Sequence, residues 1–340
     1  MPFYFFDDSV VKFFESYLTD RWQSVFLHGN FSVPQKIRYG LPQGSILGPT
    51  MFILYINDLP FSLKTNNSQN AKCFLFADDI GLCVKESSLF LTQDLLSVKS
   101  ELVTSWCNTN RLKLNEDKTQ DLKLSLSNAE NVTSLKFLGL ILQSNLKWDQ
   151  HINAVASKLS RGIFMLRSMY SSVSPDVLLI MYYAHVHSHL TYGTALWANS
   201  GHAQKIFVLQ KRAIRLLYGA PFRAHCKPLF IALGILTLPS LYVFSVLLYI
   251  KANQPSLPVN ADVHSYNTRN KNNLVMQRCN YSTTHASFLY LGKKMFNRLP
   301  ISIRDLPCKL FKSALKRLLI HLCLYSVDEF FVCSMTSECT

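Results

Sequence analysis

At 340 residues, 49% of them apolar and 16% charged, the chain can hold one to three domains and is too apolar to be disordered. The net charge of +14 is uneven: residues 1–150 carry 14 Lys/Arg against 15 Asp/Glu, and residues 151–340 carry 21 against 6. Such asymmetry points to a polyanionic partner, either nucleic acid or an anionic membrane surface, although a solvated basic face fits the composition equally well. Nine cysteines form no Cys-x-x-Cys pair, and Met1 to Phe6 lacks the basic start of a signal peptide. A reducing, intracellular setting, nuclear or cytoplasmic, is expected.

In chain order, apolar positions Val10, Val11, Phe13, Phe14, Tyr17 and Leu18 have helical spacing. Arg21 to Phe31 reads as an extended segment with a turn at Gly29-Asn30. Gly40 to Pro49 is a Gly/Pro/Ser loop, Met51 to Leu59 a helix, and Leu63 to Asn70 a polar linker. Cys73 to Val84 is apolar except for a central Asp pair, as two strands joined by a tight turn would be. Leu89 to Asn108 is helical; Leu112 to Thr119 is strand-like or loop; Leu135 to Leu142 reads as one apolar strand with Gly139 inside it. From His151 helices dominate to about Tyr249, with Ile152, Val155, Leu159, Ile163 and Leu166 on one face. A Pro-containing linker, Asn253 to Asn260, precedes a mixed basic stretch.

Ile231 to Ile250 has the length of a bilayer span and no charged residue. Pro239 splits it, so a short apolar piece, a break and then a buried amphipathic helix are expected, with no membrane partner.

The chemistry lies in an ordered series. Gly40-Leu41-Pro42-Gln43-Gly44-Ser45-Ile46-Leu47-Gly48-Pro49 is a loop of fixed shape, in which Gly44 lets a backbone or nucleotide approach closely. Phe76-Ala77-Asp78-Asp79 then sets two adjacent carboxylates in a turn, where they repel one another and attract a cation such as Mg²⁺. Alone, each would be an ordinary loop or solvated turn. Leu112-Lys113-Leu114-Asn115-Glu116-Asp117-Lys118-Thr119 and Phe137-Leu138-Gly139-Leu140 follow.

Taken together and in this order, these motifs resemble the reverse transcriptases of LINE-type, non-LTR retrotransposons. Ser16-Tyr17-Leu18-x-x-Arg21-x-Gln23-x-Val25 and Leu146-x-Trp148-x-x-His151-Ile152 extend the resemblance on either side. Tyr266-Asn267-x-Arg269-Asn270, Phe296-Asn297-x-Leu299-Pro300 and Phe311-Lys312-x-x-Leu315-Lys316 resemble the tail of jockey-like elements. The resemblance implies RNA-templated addition of deoxynucleotides to a DNA primer by two metal ions, Mg²⁺ with Mn²⁺ as a substitute. It makes Asp78 the main metal ligand, Asp79 the supporting one, and Lys118 the proton donor to the leaving pyrophosphate. Gln43, Gly44, Ser45 and Phe76 would lie against nucleotide and template, and Phe137, Leu138 and Gly139 would be the primer grip. The implied fold is α+β: a partial right-hand polymerase with an incomplete palm sheet carrying the Asp-Asp hairpin (1–145), a helical thumb and connection (146–252), a basic mixed module (253–325) and a tail (326–340).

The family places a further catalytic Asp in a strand upstream of Ser16. Asp7 and Asp8 match it only by residue type, and their place before a helix suits an N-cap instead. The expectation is therefore a polymerase impaired as an isolated chain, with an apolar edge on Cys73 to Val84 that a partner chain could cover in trans. The alternative is a non-catalytic nucleic-acid-binding remnant of a retrotransposon. Residues 205–321 favour nucleic acid in either case, with 18 Lys/Arg and two acids, Asp262 and Asp305. Lys211, Arg212, Arg215, Arg269, Lys293 and Lys294 are the phosphate-binding candidates, and Tyr266, Tyr281, Phe288 and Tyr290 could stack on bases. His185-x-His187-x-His189 and the late His321, Cys323, Cys333 and Cys339 lack zinc-ligand spacing.

Overall fold

A computed structural model describes residues 7–64, 70–124, 133–263, 266 and 268–333. The linker expected at 63–70, Asn267 and Cys339 thus fall wholly or partly outside the described residues. The described chain mixes helices with two-stranded antiparallel sheets, an α+β composition. It forms two compact units, residues 1–119 and 120–340.

Unit 1 begins with α1 (Asp8–Leu18). Asp7 is its N-cap, accepting from the Asp8 amide and from the Ser9 hydroxyl, so the capping role expected of this residue is the one it has. Strands β1 (Trp22–Gln23) and β4 (Gln35–Lys36) pair around a small hairpin, β2 (Phe26–Leu27) with β3 (Asn30–Phe31). Helices α2 (Gly48–Ile56) and α3 (Leu59–Ser62) follow, each with proline in its first turn, where no amide is needed. The expected pair of strands is present as β5 (Ala71–Phe76) and β6 (Asp79–Val84). One face of this hairpin, with Cys73, Leu75, Ile80 and Leu82, packs on a core of Ile56, Leu59, Leu63, Val103, Trp106 and Cys107. The last three come from α4 (Leu89–Thr109), capped by the Ser88 hydroxyl. Leu112 to Thr119 resolves into a loop closed by a 3-10 turn, Glu116–Lys118.

Unit 2 opens with β7 (Ser134–Phe137) and β8 (Leu140–Gln143). The sequence reading of Leu135 to Leu142 as one strand is thus corrected: Leu138 and Gly139 take φ of 47° and 78° and reverse the chain, as a type I′ hairpin turn requires. Helices α5 (Asp149–Met169) and α6 (Pro175–Tyr182) follow. A π-helical segment, Tyr183–His187, and α7 (Ser188–Thr191) continue from α6. After a break at Tyr192-Gly193 come α8 (Thr194–Trp197) and α9 (Gln204–Tyr218).

Next are α10 (Cys226–Ala232) and α11 (Leu238–Ala252). The apolar run is broken as expected, over residues 233–237, but Pro239 does not lie within the break: it stands in the first turn of α11, after the Thr237 side chain caps the Ser240 amide. Nor is α11 amphipathic: buried Leu238, Leu241, Tyr242, Val243, Val246, Leu247 and Ile250 cover most of its circumference, which marks a central core helix. No described helix is long and apolar enough to cross a membrane.

The remaining elements are α12 (Asn260–Val263), α13 (Ser282–His285), α14 (Phe288–Arg298), α15 (Ile301–Arg304), α16 (Cys308–Leu322) and α17 (Glu329–Val332). Residues from Ile152 to Phe330 share one core, so α16 and α17 close over the same apolar interior that α5 and α9 begin. Buried Gln210 stitches it internally, donating to the Leu236 carbonyl at 2.9 Å and accepting from the Leu238 amide at 2.8 Å. A buried amide group with these partners avoids the penalty of about 1–3 kcal/mol for an unsatisfied one.

Candidate functional site

Asp78 occupies the second loop position of the β5–β6 turn, and Asp79 opens β6 opposite Phe76. Ala77, at the first loop position, has φ of 51°, the positive value a type II′ turn demands there. Because directly paired residues share a face, Lys72, Phe74 and Phe76 project to one side with Cys83, Gly81 and Asp79. That side is the solvent side, with Phe74 and Phe76 both more than half exposed. Phe74 and Phe76 thus expose apolar surface on the face that bears Asp79.

The Gly40–Pro49 loop is built by its own residues. The Arg21 guanidinium donates to the Gly40 carbonyl at 2.5 Å and to the Leu18 carbonyl at 3.2 Å, tying the loop to the end of α1. Ser45 accepts from the Gly48 amide at 3.0 Å, so its hydroxyl serves the loop itself. Gly44, with φ of 79°, and Gln43 are exposed. Tyr39 lies 5.4 Å beneath the Arg111 guanidinium, and Tyr55 donates to the Asn110 carbonyl, which fastens this region to the end of α4. Lys118 is exposed in its 3-10 turn, its amide 3.3 Å from the Asn115 side chain.

Unit 1 thus holds Gln43, Gly44, Ser45, Phe76, Asp78, Asp79 and Lys118, and unit 2 holds Phe137, Leu138 and Gly139. Asp78, Asp79 and Phe76 share one turn. Carboxylate oxygens suit Mg²⁺, and an adjacent exposed pair supplies part of its octahedral shell. Among the described residues, no three His, Cys, Asp or Glu side chains converge on a metal-binding position. The residues present therefore fit a metal in part, leaving ligand positions for water, nucleotide phosphates or a further carboxylate.

Three side chains hold the β7–β8 hairpin to its helices, and none stood out in the sequence as a functional group. The Tyr192 hydroxyl donates to the Leu138 carbonyl. His151 Nδ1 accepts from the Ile141 amide at 3.4 Å, its buried ring edge-on to Trp148 and Trp197. Burial, with Lys158 nearby, pushes its pKa below the ordinary value, which favours the neutral ring that this hydrogen bond needs. Buried Gln143 accepts from the Gln150 amide at 3.1 Å. The Trp148-x-x-His151 spacing was the one available signal.

The basic candidates divide by environment. Lys211 lies over the rings of Phe207, at 4.6 Å, and Tyr325, at 5.6 Å. Arg215 donates to the Ala224 carbonyl, and Lys294 sits 4.8 Å over Phe331. Lys293 is half-buried, while Arg212 and Arg269 are exposed. Arg212 also lines a groove of about 620 Å³ between α5 and α9, with Lys205, Asn153, Ser157 and Ser160. Tyr266 and Tyr281 are exposed, whereas Phe288 packs edge-on against Tyr249. His187 is part of the π-helical segment, with Nδ1 buried and unpartnered beside Tyr182 and Tyr183.

Residues 6–142 match the family of reverse transcriptases, the RNA-dependent DNA polymerases. The chain therefore carries a reverse transcriptase domain and is homologous to the polymerases of jockey-like mobile elements. It is 28% identical, over 61% of its length, to a probable RNA-directed DNA polymerase from transposon BS of Drosophila melanogaster. It is 25% identical, over 60%, to that of the X-element, and 24% identical, over 61%, to the RNA-directed DNA polymerase from mobile element jockey, both of the same fly. The chain spans about a quarter of the length of these curated relatives, 24–25%. No solved structure matches it.

Proposed function

We propose that this chain contributes the palm and thumb of an RNA-directed DNA polymerase that extends a DNA primer on an RNA template with deoxynucleotides. The observation that carries the reading is the turn at Ala77–Asp79, which displays two carboxylates beside Phe76 on the solvent face of a hairpin anchored by its other face. Asp78 and Asp79 would hold Mg²⁺ or Mn²⁺; when bound, such ions activate the primer 3′-hydroxyl and offset the charge of the leaving pyrophosphate. Lys118 carries the proton to that leaving group. Its exposed side chain, on a turn shaped by Asn115, is free to reach an anion. The Gln43–Ser45 loop presents backbone and Gln43 to nucleotide and template.

In this reading residues 1–145 are part of the fingers and palm, 146–252 the thumb and connection, and 253–325 a basic module that grips phosphates. Exposed Arg212 and Arg269 make the direct phosphate contacts, while Lys211, Arg215 and Lys294, each with an internal partner, shape the surface that carries them. Two adjacent carboxylates alone balance little of the charge of two divalent ions. The 340 residues alone are therefore impaired in polymerisation until another carboxylate is supplied, from a partner chain for example, and nucleic-acid binding is the activity they retain.

Metal binding can be read without turnover. In the wild-type chain, Mn²⁺ should broaden the amide resonances of Phe76 to Ile80, and in the Asp78→Asn/Asp79→Asn variant it should leave them sharp. Equal broadening in both proteins would overturn the assignment of the pair as metal ligands.

A further inference from the structure

The β7–β8 turn is held by a residue that lies 54 positions further along the chain. Tyr192 donates its hydroxyl to the Leu138 carbonyl, and a Cβ added at Gly139 would stand 3.3 Å from Tyr192 Cε1. The ring therefore lies close against the one residue of the turn that has no side chain. The backbone around Tyr192 is arranged for this. The helix that runs through α6, the π-helical segment and α7 stops there, with Tyr192 extended at φ −71°, ψ 115°. Gly193 then turns left-handed at φ 62°, and a Cβ on it would strike Leu140 Cδ2 at 2.9 Å. The Trp197 indole fixes the break by donating to the Tyr192 carbonyl at 2.9 Å. Yet Tyr192 remains 55% exposed, so its ring contributes little to the core.

An exposed tyrosine that spends its hydroxyl on one carbonyl of a hairpin turn sets the position of that turn more than the stability of the domain. We infer that Tyr192 is a positioning residue: it holds the Leu138-Gly139 turn where the turn meets the 3′ end of a primer. The inference rests on the primer-grip reading of Phe137–Gly139. Its content is the mechanical link, in which the helix break at Tyr192-Gly193 fixes how far the turn projects.

The test compares affinities of the 340-residue chain for an RNA–DNA primer–template with a recessed 3′ end and for a blunt duplex of equal length. Wild type should prefer the recessed end. Tyr192→Phe should reduce that preference about fivefold, the worth of one neutral hydrogen bond. Affinity for the blunt duplex, set by phosphate contacts, should stay unchanged, and the melting temperature should fall by no more than about 4 °C, the loss of one hydrogen bond. Hydrogen exchange at residues 138–141 should speed up in the same variant. An unchanged preference, or a blunt-duplex affinity that falls in step with recessed-end affinity, overturns the positioning role. If wild type itself shows no preference, the primer-grip reading fails first, and the inference with it.

Discussion

His151 shows how one side chain can fasten a hairpin and make it sensitive to pH. Its Nδ1 accepts a hydrogen bond from the Ile141 amide, an interaction that requires this nitrogen to carry no proton. Burial and the nearby Lys158 hold its pKa below 6.5, so between the folded and unfolded pKa values the unfolded chain binds a proton that the folded chain does not. Stability is then full above pH 7 or so and falls as the pH drops below about 6.5. His187 and His189, depressed chiefly by burial, act in the same direction. The melting temperature should be lower at pH 5.5 than at pH 7.5, and His151→Gln should flatten part of that slope; an equal slope in the variant would rule the link out. At this scale the sequence was informative where chemistry is local. Asp7 before an apolar helical run reads as a cap, and an Asp pair between two apolar strands reads as a turn. Tyr192 was not legible, because its partner Leu138 is joined to it by folding and not by any spacing.

Elements were legible where periodicity was strong. The helix read at Leu89 to Asn108 is observed as Leu89–Thr109, and the strand pair read at Cys73 to Val84 is observed from Ala71 to Val84. Leu135 to Leu142 misled because a hairpin with a two-residue turn keeps both strands apolar, and Leu138 adopts the positive φ usually left to Gly or Asn. Pro239 was a sound marker of a boundary, because proline punctuates a helix interior but is at home in a first turn, and α11 begins beside it. Close packing between elements leaves no trace in periodicity at all. On α5, Gly162 faces the π-helical segment, where an added Cβ would lie 2.7 Å from the His185 carbonyl oxygen. That neighbour is backbone and cannot swing aside. Gly162→Ala should destabilise the protein by about 1–3 kcal/mol, the usual range for overpacking, read by denaturant unfolding. A neutral or stabilising effect would mean that the two helices part more easily than their packing indicates.

Across the whole molecule, the charge asymmetry of the sequence coincides with a change of architecture. The near-neutral first part carries the Asp78–Asp79 turn on a small hairpin, and the basic second part is a helical body with one shared core. The motif series was legible because polymerase chemistry fixes residue types in a set order. The roles of the basic residues were less so, since a lysine over an aromatic ring and a lysine awaiting phosphate look alike in sequence. On the proposed function, the chain bears two polymerase carboxylates and a phosphate-gripping surface but lacks the full ligand set for turnover. Primer extension on an RNA template, with Mg²⁺ and then Mn²⁺, tests that most directly. The 340-residue chain should extend no more than Asp78→Asn/Asp79→Asn, while both bind the RNA with an affinity that falls as salt rises. Extension by the wild type and not by the variant would contradict the incompleteness and place another ligand of the metal within these residues.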